Sequence, residues 1–140
     1  MKIQDKLEGI IEMKPDERKF INGIIRKYKP KKLVEIGIAQ GGSSALILNA
    51  IKDMPNAKLF SIDKSDVWYR DKSKKVGWLV KERFQDLMDK WALYTNVNTA
   101  EIIETIGNIG LYIRISSQYK IKLPLIHLFF IPYILTLQPI

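Results

Sequence analysis

Six residues of this chain have the types and spacing to do chemistry. Glu35, Gly37, Gly41, Gly42 and Ser43 lie in the run Leu33-Val34-Glu35-Ile36-Gly37-Ile38-Ala39-Gln40-Gly41-Gly42-Ser43-Ser44, and Asp63 closes Phe60-Ser61-Ile62-Asp63. The run reads as a buried strand, a glycine turn and the first turn of a helix. Backbone N–H groups at a helix start carry partial positive charge and point outward, which suits an anion. Glycines allow a positive φ and remove side chains that would keep a ligand at a distance. A carboxylate such as Asp63 can accept from a pair of hydroxyls.

The spacing narrows the ligand. The dinucleotide fingerprint G-x-G-x-x-G is absent, because Ile38, Ala39 and Gln40 separate Gly37 from the next glycine. Gly37 and Gly42 match the P-loop spacing, but Ser43-Ser44 stands where Lys-Ser/Thr is required, so the phosphate-binding lysine is missing. Each residue also has a plain structural reading. The glycines could form only a tight turn, Glu35 could pair with a lysine, and Asp63 could cap a following helix.

The elements that must position these residues alternate. Residues 4–13 read as a short amphipathic helix. A second helix begins near Pro15, with Phe20, Ile21, Ile24 and Ile25 as its apolar stripe, and stops at Pro30. Lys32–Ile36 is a strand, Ser43–Lys52 a helix with Ala45, Leu46, Leu48 and Ile51 inward, and Lys58–Asp63 a strand, which makes a unit that builds a parallel sheet. Residues 64–75 form a polar loop whose Trp68 and Tyr69 suit it to fold over a site. Val76–Asp89 reads as a helix burying Leu79, Val80, Phe84, Leu87 and Met88. Trp91–Thr95 is a strand, Thr99 an N-cap for Ala100–Ile106, Gly107 its stop, and Leu111–Ile115 a fourth strand. The pattern is an open, mainly parallel α/β sheet with flanking helices. The glycine turn falls at the carboxyl end of its strand, where such sheets bind ligands.

Composition removes several classes. The 140 residues suit one domain, and no cysteine is present, so disulfides and thiolate metal sites are excluded. His127 is the single histidine and makes no metal constellation. The formal charge is +8, with basic clusters at Arg26–Lys32 and Arg70–Lys75. Neither carries a recognisable nucleic-acid motif, so they read as solvated loops and helix ends, and no nucleic-acid partner is expected. The N-terminal residues hold no apolar leader core, which makes the cytoplasm the default location.

The pattern Glu35-x-Gly37-x-x-x-Gly41-x-Ser43 resembles motif I of the class I S-adenosylmethionine-dependent methyltransferases. Val34-Glu35-Ile36-Gly37 followed by Gly41-Gly42-Ser43-Ser44 is most similar to the small-molecule O-methyltransferase branches. The resemblance covers about residues 15–109 and implies a Rossmann-like fold, S-adenosylmethionine as cofactor and a small-molecule methyl acceptor. It implies that Gly37, Gly41 and Gly42 bring backbone close to the methionine part. It gives Ser43 a hydroxyl and an N–H for the methionine carboxylate. Glu35 would orient the loop and contact the amino group, directly or through water. Asp63 would bind the ribose hydroxyls, and the turn Asn96-Val97-Asn98 would approach the adenine.

The chain departs from that family after residue 110. Family members end the fourth strand in an acid near the substrate, which holds Mg²⁺ in metal-dependent members. Here Leu111–Gln118 has no carboxylate and no histidine, so neither a metal site nor a general base is assigned. Tyr112, Arg114 and Tyr119 are the reactive-looking groups left there. All 15 acidic residues precede residue 105. The final run Leu123–Ile140 has no formally charged residue, and Pro124, Pro132 and Pro139 argue against a transmembrane helix. Prolines also fit a central strand poorly. The expectation is an incomplete sheet of four or five strands, with residues 1–110 forming the N-terminal part of a methyltransferase-like domain. Residues 111–140 are expected to be a hydrophobic, acid-free tail of the kind an out-of-frame reading of an AT-rich gene produces. The alternative functions are a non-catalytic nucleotide-binding remnant and a small membrane-associated protein.

Overall fold

The computed structural model describes residues 7, 13–107, 109–116, 125–129 and 134–137. Most of the helix expected over 4–13 lies outside them, although Leu7 is helical and fully buried.

Helix α1 (Pro15–Tyr28) opens with proline at a position where a missing N–H costs nothing. Glu17 caps it by accepting from the Lys14 N–H at 2.9 Å. It ends at Lys29 in the left-handed conformation, one residue before Pro30. Ile21, Ile24 and Ile25 are buried as the stripe requires, but Phe20 is exposed. Arg18 is buried instead, and its Nε donates to the Met13 carbonyl at 3.1 Å.

Strand β1 (Lys32–Ile36), helix α2 (Gly42–Ile51) and strand β2 (Lys58–Asp63) follow. Every residue of α2 from Gly42 to Leu48 is buried, as befits a helix packed between the sheet and α1. The helix expected over Val76–Asp89 is shorter than its periodicity suggests. Helix α3 covers only Trp78–Arg83, because Phe84 leaves helical geometry at φ −132°, ψ 43°, and a 3₁₀ helix (Gln85–Lys90) continues to the sheet. That tighter winding turns Met88 outward.

Strand β3 (Trp91–Thr95) leads to helix α4 (Thr99–Ile106). Its N-cap is Asn98, not Thr99, and the Asn98 side-chain Oδ1 accepts from the Ala100 N–H at 3.0 Å. Gly107 ends it at φ +76°. Asn98→Ala should cost about 1 kcal/mol, the usual worth of such a cap. A urea titration checks this, and an unchanged midpoint would mean the cap carries no stability.

Strands β4 (Leu111–Ser116), β5 (Leu125–Phe129) and β6 (Ile134–Leu137) complete one six-stranded sheet in the order β3-β2-β1-β4-β5-β6. The first four strands are parallel, and β5 and β6 are antiparallel additions. The sheet therefore exceeds the expected four or five strands. The reason is local: β5 and β6 take proline-free stretches of the tail, rich in Ile, Leu and Phe, which suit strands. No helix among the described residues is long and apolar enough to cross a membrane.

Side chains alternate between two cores. Leu33, Leu59, Leu111 and Ile113 join the core containing residues of α1, α2 and α3. Val34, Ile62, Ile106 and Ile109 form the core on the α4 side.

Candidate functional site

The chain leaves β1 toward β2 on one side and later returns from β3 to β4 on the other, so the strand order reverses at β1. Crevices at such switch points, outside the strand carboxyl ends, are where open α/β sheets bind ligands. The glycine turn lies there. Gly37 (φ +83°), Ala39 (φ +51°) and Gly41 (φ +100°) all take the left-handed region, and Ala39 does so against the preference of a residue with a Cβ.

Neighbouring segments hold the turn. Asp63 reaches back from the end of β2, where its Oδ2 accepts from the Ile38 N–H at 3.0 Å. Its Oδ1 accepts from the Ser65 N–H, also at 3.0 Å. The carbonyls of Ala39 and Gln40 accept from the N–H groups of Gly77 (2.9 Å) and Leu79 (3.0 Å). A Cβ on Gly41 would stand 3.1 Å from both the Gly77 Cα and Val80 Cγ2. The close approach made by Gly41 is therefore to the start of α3.

Glu35 is wholly buried on the α2 side of β1. Its carboxylate accepts from three hydroxyls: Ser43 at 2.5 Å, Ser44 at 2.6 Å and Ser61 at 2.7 Å. Ser61 in turn accepts from the Trp91 indole N–H at 2.8 Å. Burial pushes the Glu35 carboxyl above the ordinary carboxylate range. The three hydroxyls pull it down by less, and nearby Asp63 adds to the upward push. Glu35 is thus a bolt between β1, β2 and the first turn of α2, with no exposed surface of its own. The Ser43 hydroxyl gives its proton to that bolt, which leaves its oxygen lone pairs and its backbone N–H for other partners.

The structure thus brings Glu35, Gly37, Gly41, Gly42, Ser43 and Asp63 to one corner of the sheet. Asn96 (φ +55°) also comes near, since its side chain helps to lower the carboxyl of Asp66 in the excursion that follows β2. That excursion is a small hairpin closed by the Val67–Lys75 bridge and the Lys75–Asp66 ion pair at 2.5 Å. The Lys75 ammonium holds the Asp66 carboxyl below the ordinary carboxylate range. Among the described residues, no group of three or more His, Cys, Asp or Glu side chains could hold a metal ion.

Sequence reasoning did not find Ser44, Ser61, Trp91 or Gly77. Ser61 had a usable signal: in the parallel register that pairs Leu33 with Leu59, it falls opposite Glu35.

Comparison with known proteins agrees with this architecture. No protein-family profile and no curated protein sequence matches the chain. Solved structures do match. A candidate O-methyltransferase from Klebsiella pneumoniae superposes with a TM-score of 0.58 at 12% identity, over 87% of this chain and 72% of the other. The O-methyltransferase TomG from Streptomyces achromogenes, involved in tomaymycin synthesis and solved in complex with SAM, gives 0.51 at 15% identity over 76% of this chain. The chain spans only 44% of TomG. The fold is therefore methyltransferase-like: a Rossmann-like, open and mainly parallel sheet, incomplete beside those larger structures.

Proposed function

We propose that this chain binds S-adenosylmethionine at the carboxyl ends of β1 and β2 and serves methyl transfer to the hydroxyl of a small molecule. The observation that carries the reading is Asp63, whose carboxylate ties the glycine turn to β2 and keeps a second lone pair on each oxygen. That arrangement suits a ribose diol. The first turn of α2 has no side-chain cap, so its N–H groups remain for a carboxylate. The positive-φ backbone at Gly37, Ala39 and Gly41 shapes the turn around which the methionine part would lie. Glu35 contributes by holding Ser43 and Ser44 in place. Asn96, Val97 and Asn98 are the candidates beside the adenine. TomG, solved with SAM, has the same fold.

Bound S-adenosylmethionine would supply an electrophilic sulfonium methyl. The chain's part is then to align it with an acceptor oxygen and keep water away, which accounts for much of the rate in such displacements. We place this activity in the cytoplasm. Asp63→Ala should weaken S-adenosylhomocysteine binding about tenfold to a hundredfold, the worth of hydrogen bonds to a charged group. Isothermal calorimetry measures it, with circular dichroism to confirm an intact fold. Equal affinity in a folded variant would sink the assignment of Asp63.

A second reading, binding without transfer, is favoured by one observation: no acidic residue follows Glu104. A methyl-transfer assay on a hydroxylated aromatic panel separates the two. On the same reading residues 1–110 are the N-terminal part of the domain, and 111–140 are a tail whose sequence is foreign to it. An acid-bearing fourth strand in another frame of the gene would support this, and its absence would refute it.

A further inference from the structure

The three tryptophans of the chain gather near Gly77. Trp91 spends its indole N–H on Ser61. The other two do not. Trp68 comes from the hairpin after β2 and Trp78 opens α3, with ring centroids 5.8 Å apart and planes tilted by 50°. Each buries its indole nitrogen, and neither nitrogen meets an acceptor among the described residues. An indole N–H can only donate, so two buried ones on neighbouring rings, with no acceptor among the described residues, are donors to which a ligand oxygen can be matched.

The surroundings select the charge of that oxygen. The Lys74 ammonium lies 3.8 Å from the Trp78 ring centroid, and the Arg83 guanidinium lies 5.9 Å from it on the same ring. Residues 64–83 hold seven cationic side chains against three anionic ones. Of the three, Asp66 is engaged by Lys75 and Asp71 by Ser73, while Glu82 stands 3.9 Å from Lys74. The position is also telling. The Gly77 and Leu79 N–H groups on either side of Trp78 bond the carbonyls of Ala39 and Gln40, so the pair adjoins the glycine turn.

We propose that Trp68 and Trp78 form a carboxylate-recognising subsite beside the glycine turn. The inference rests on the cofactor reading for what lies next to it, but its donors and charges stand independently. Two sources offer the group: the amino-acid end of the cofactor, or an acidic methyl acceptor.

The full chain labelled with ¹⁵N-tryptophan gives one indole signal per tryptophan, assigned by Trp68→Phe and Trp78→Phe, which keep an aromatic ring and remove the N–H. Trp91, already bonded to Ser61, is the internal control for an intact fold. One titration compares S-adenosylhomocysteine with 5′-methylthioadenosine, which lacks the amino-acid end. The other compares 4-hydroxybenzoate with 4-hydroxybenzyl alcohol. A downfield shift of the Trp68 and Trp78 signals with the acid of one pair, and not with its neutral partner, supports the subsite and identifies the source. Each Phe variant should then bind that acid roughly tenfold more weakly, with the Trp91 signal unmoved. If calorimetry shows no binding of S-adenosylhomocysteine, the cofactor reading fails and the 4-hydroxybenzoate pair alone decides the subsite. Signals that stay still with both acids, or move alike with acid and neutral partner, overturn the proposal.

Discussion

Replacing Glu35 by alanine should destabilise the protein by roughly 3–5 kcal/mol, because it strands several buried donors at once. Ser43 and Ser44 have a partial escape, since a helical serine can turn its hydroxyl toward a backbone carbonyl. Ser61 sits on a strand and already accepts from Trp91, so its proton is the hardest to rehouse. Glu35→Gln should cost less, since it keeps one acceptor oxygen while pointing an NH₂ at a hydroxyl that wants to donate. Urea unfolding of the three proteins orders them. Their pH dependence then tests the balance at the carboxylate. Burial outweighs the hydroxyls and raises the Glu35 carboxyl in the folded state, so the native protein holds its proton more tightly than the unfolded chain. Stability from this group is therefore fullest below the ordinary carboxylate range. It falls as pH rises toward the higher native value, and is flat beyond. The wild-type advantage over Glu35→Gln should shrink across that window. An advantage that grows with pH instead would mean that the three hydroxyls dominate and the site prefers its anion.

What could be read from the residues follows physical range. Strands β1, β2 and β3 have the bounds their apolar runs suggest, Lys32–Ile36, Lys58–Asp63 and Trp91–Thr95. In β1 the run is nearly continuous because the strand is covered on both faces. The helix over Val76–Asp89 was overextended, because its apolar spacing fits an α-helix and a shorter α-helix followed by a 3₁₀ turn about equally well. The tail adds more strands than its prolines suggest. Its lack of charge and its prolines are real, but whether such a run pairs depends on an open sheet edge, and β4 provides one. At the site, the glycines and both acids stood out by type and spacing. Their partners did not, since Ser61 meets Glu35, and Trp91 meets Ser61, only through strand register, and Gly77 meets the turn only through folding of the hairpin.

Gly77 gives the second large effect. Its φ is +71°, and an alanine Cβ there would stand 2.6 Å from Trp91 Cη2 and 3.2 Å from Cζ2. The tip of a side chain often yields to such a clash, but this ring is pinned by its bond to Ser61, which is itself committed to Glu35. Moving Trp91 would disturb the carboxylate bolt. Moving Gly77 would pull on the Ala39 carbonyl and so on the glycine turn. Gly77→Ala should therefore cost about 2–4 kcal/mol, from the left-handed backbone together with overpacking. It should also weaken S-adenosylhomocysteine binding measured by calorimetry. Gly23→Ala is the matched control. It lies inside α1 with nothing within 4 Å of the added Cβ, and should stabilise the protein by about 0.5–1 kcal/mol. If denaturant titration finds Gly77→Ala as stable as wild type, Trp91 is free to swing and the bolt is not anchored by it. If stability drops but ligand affinity does not, the link from α3 to the glycine turn carries packing alone.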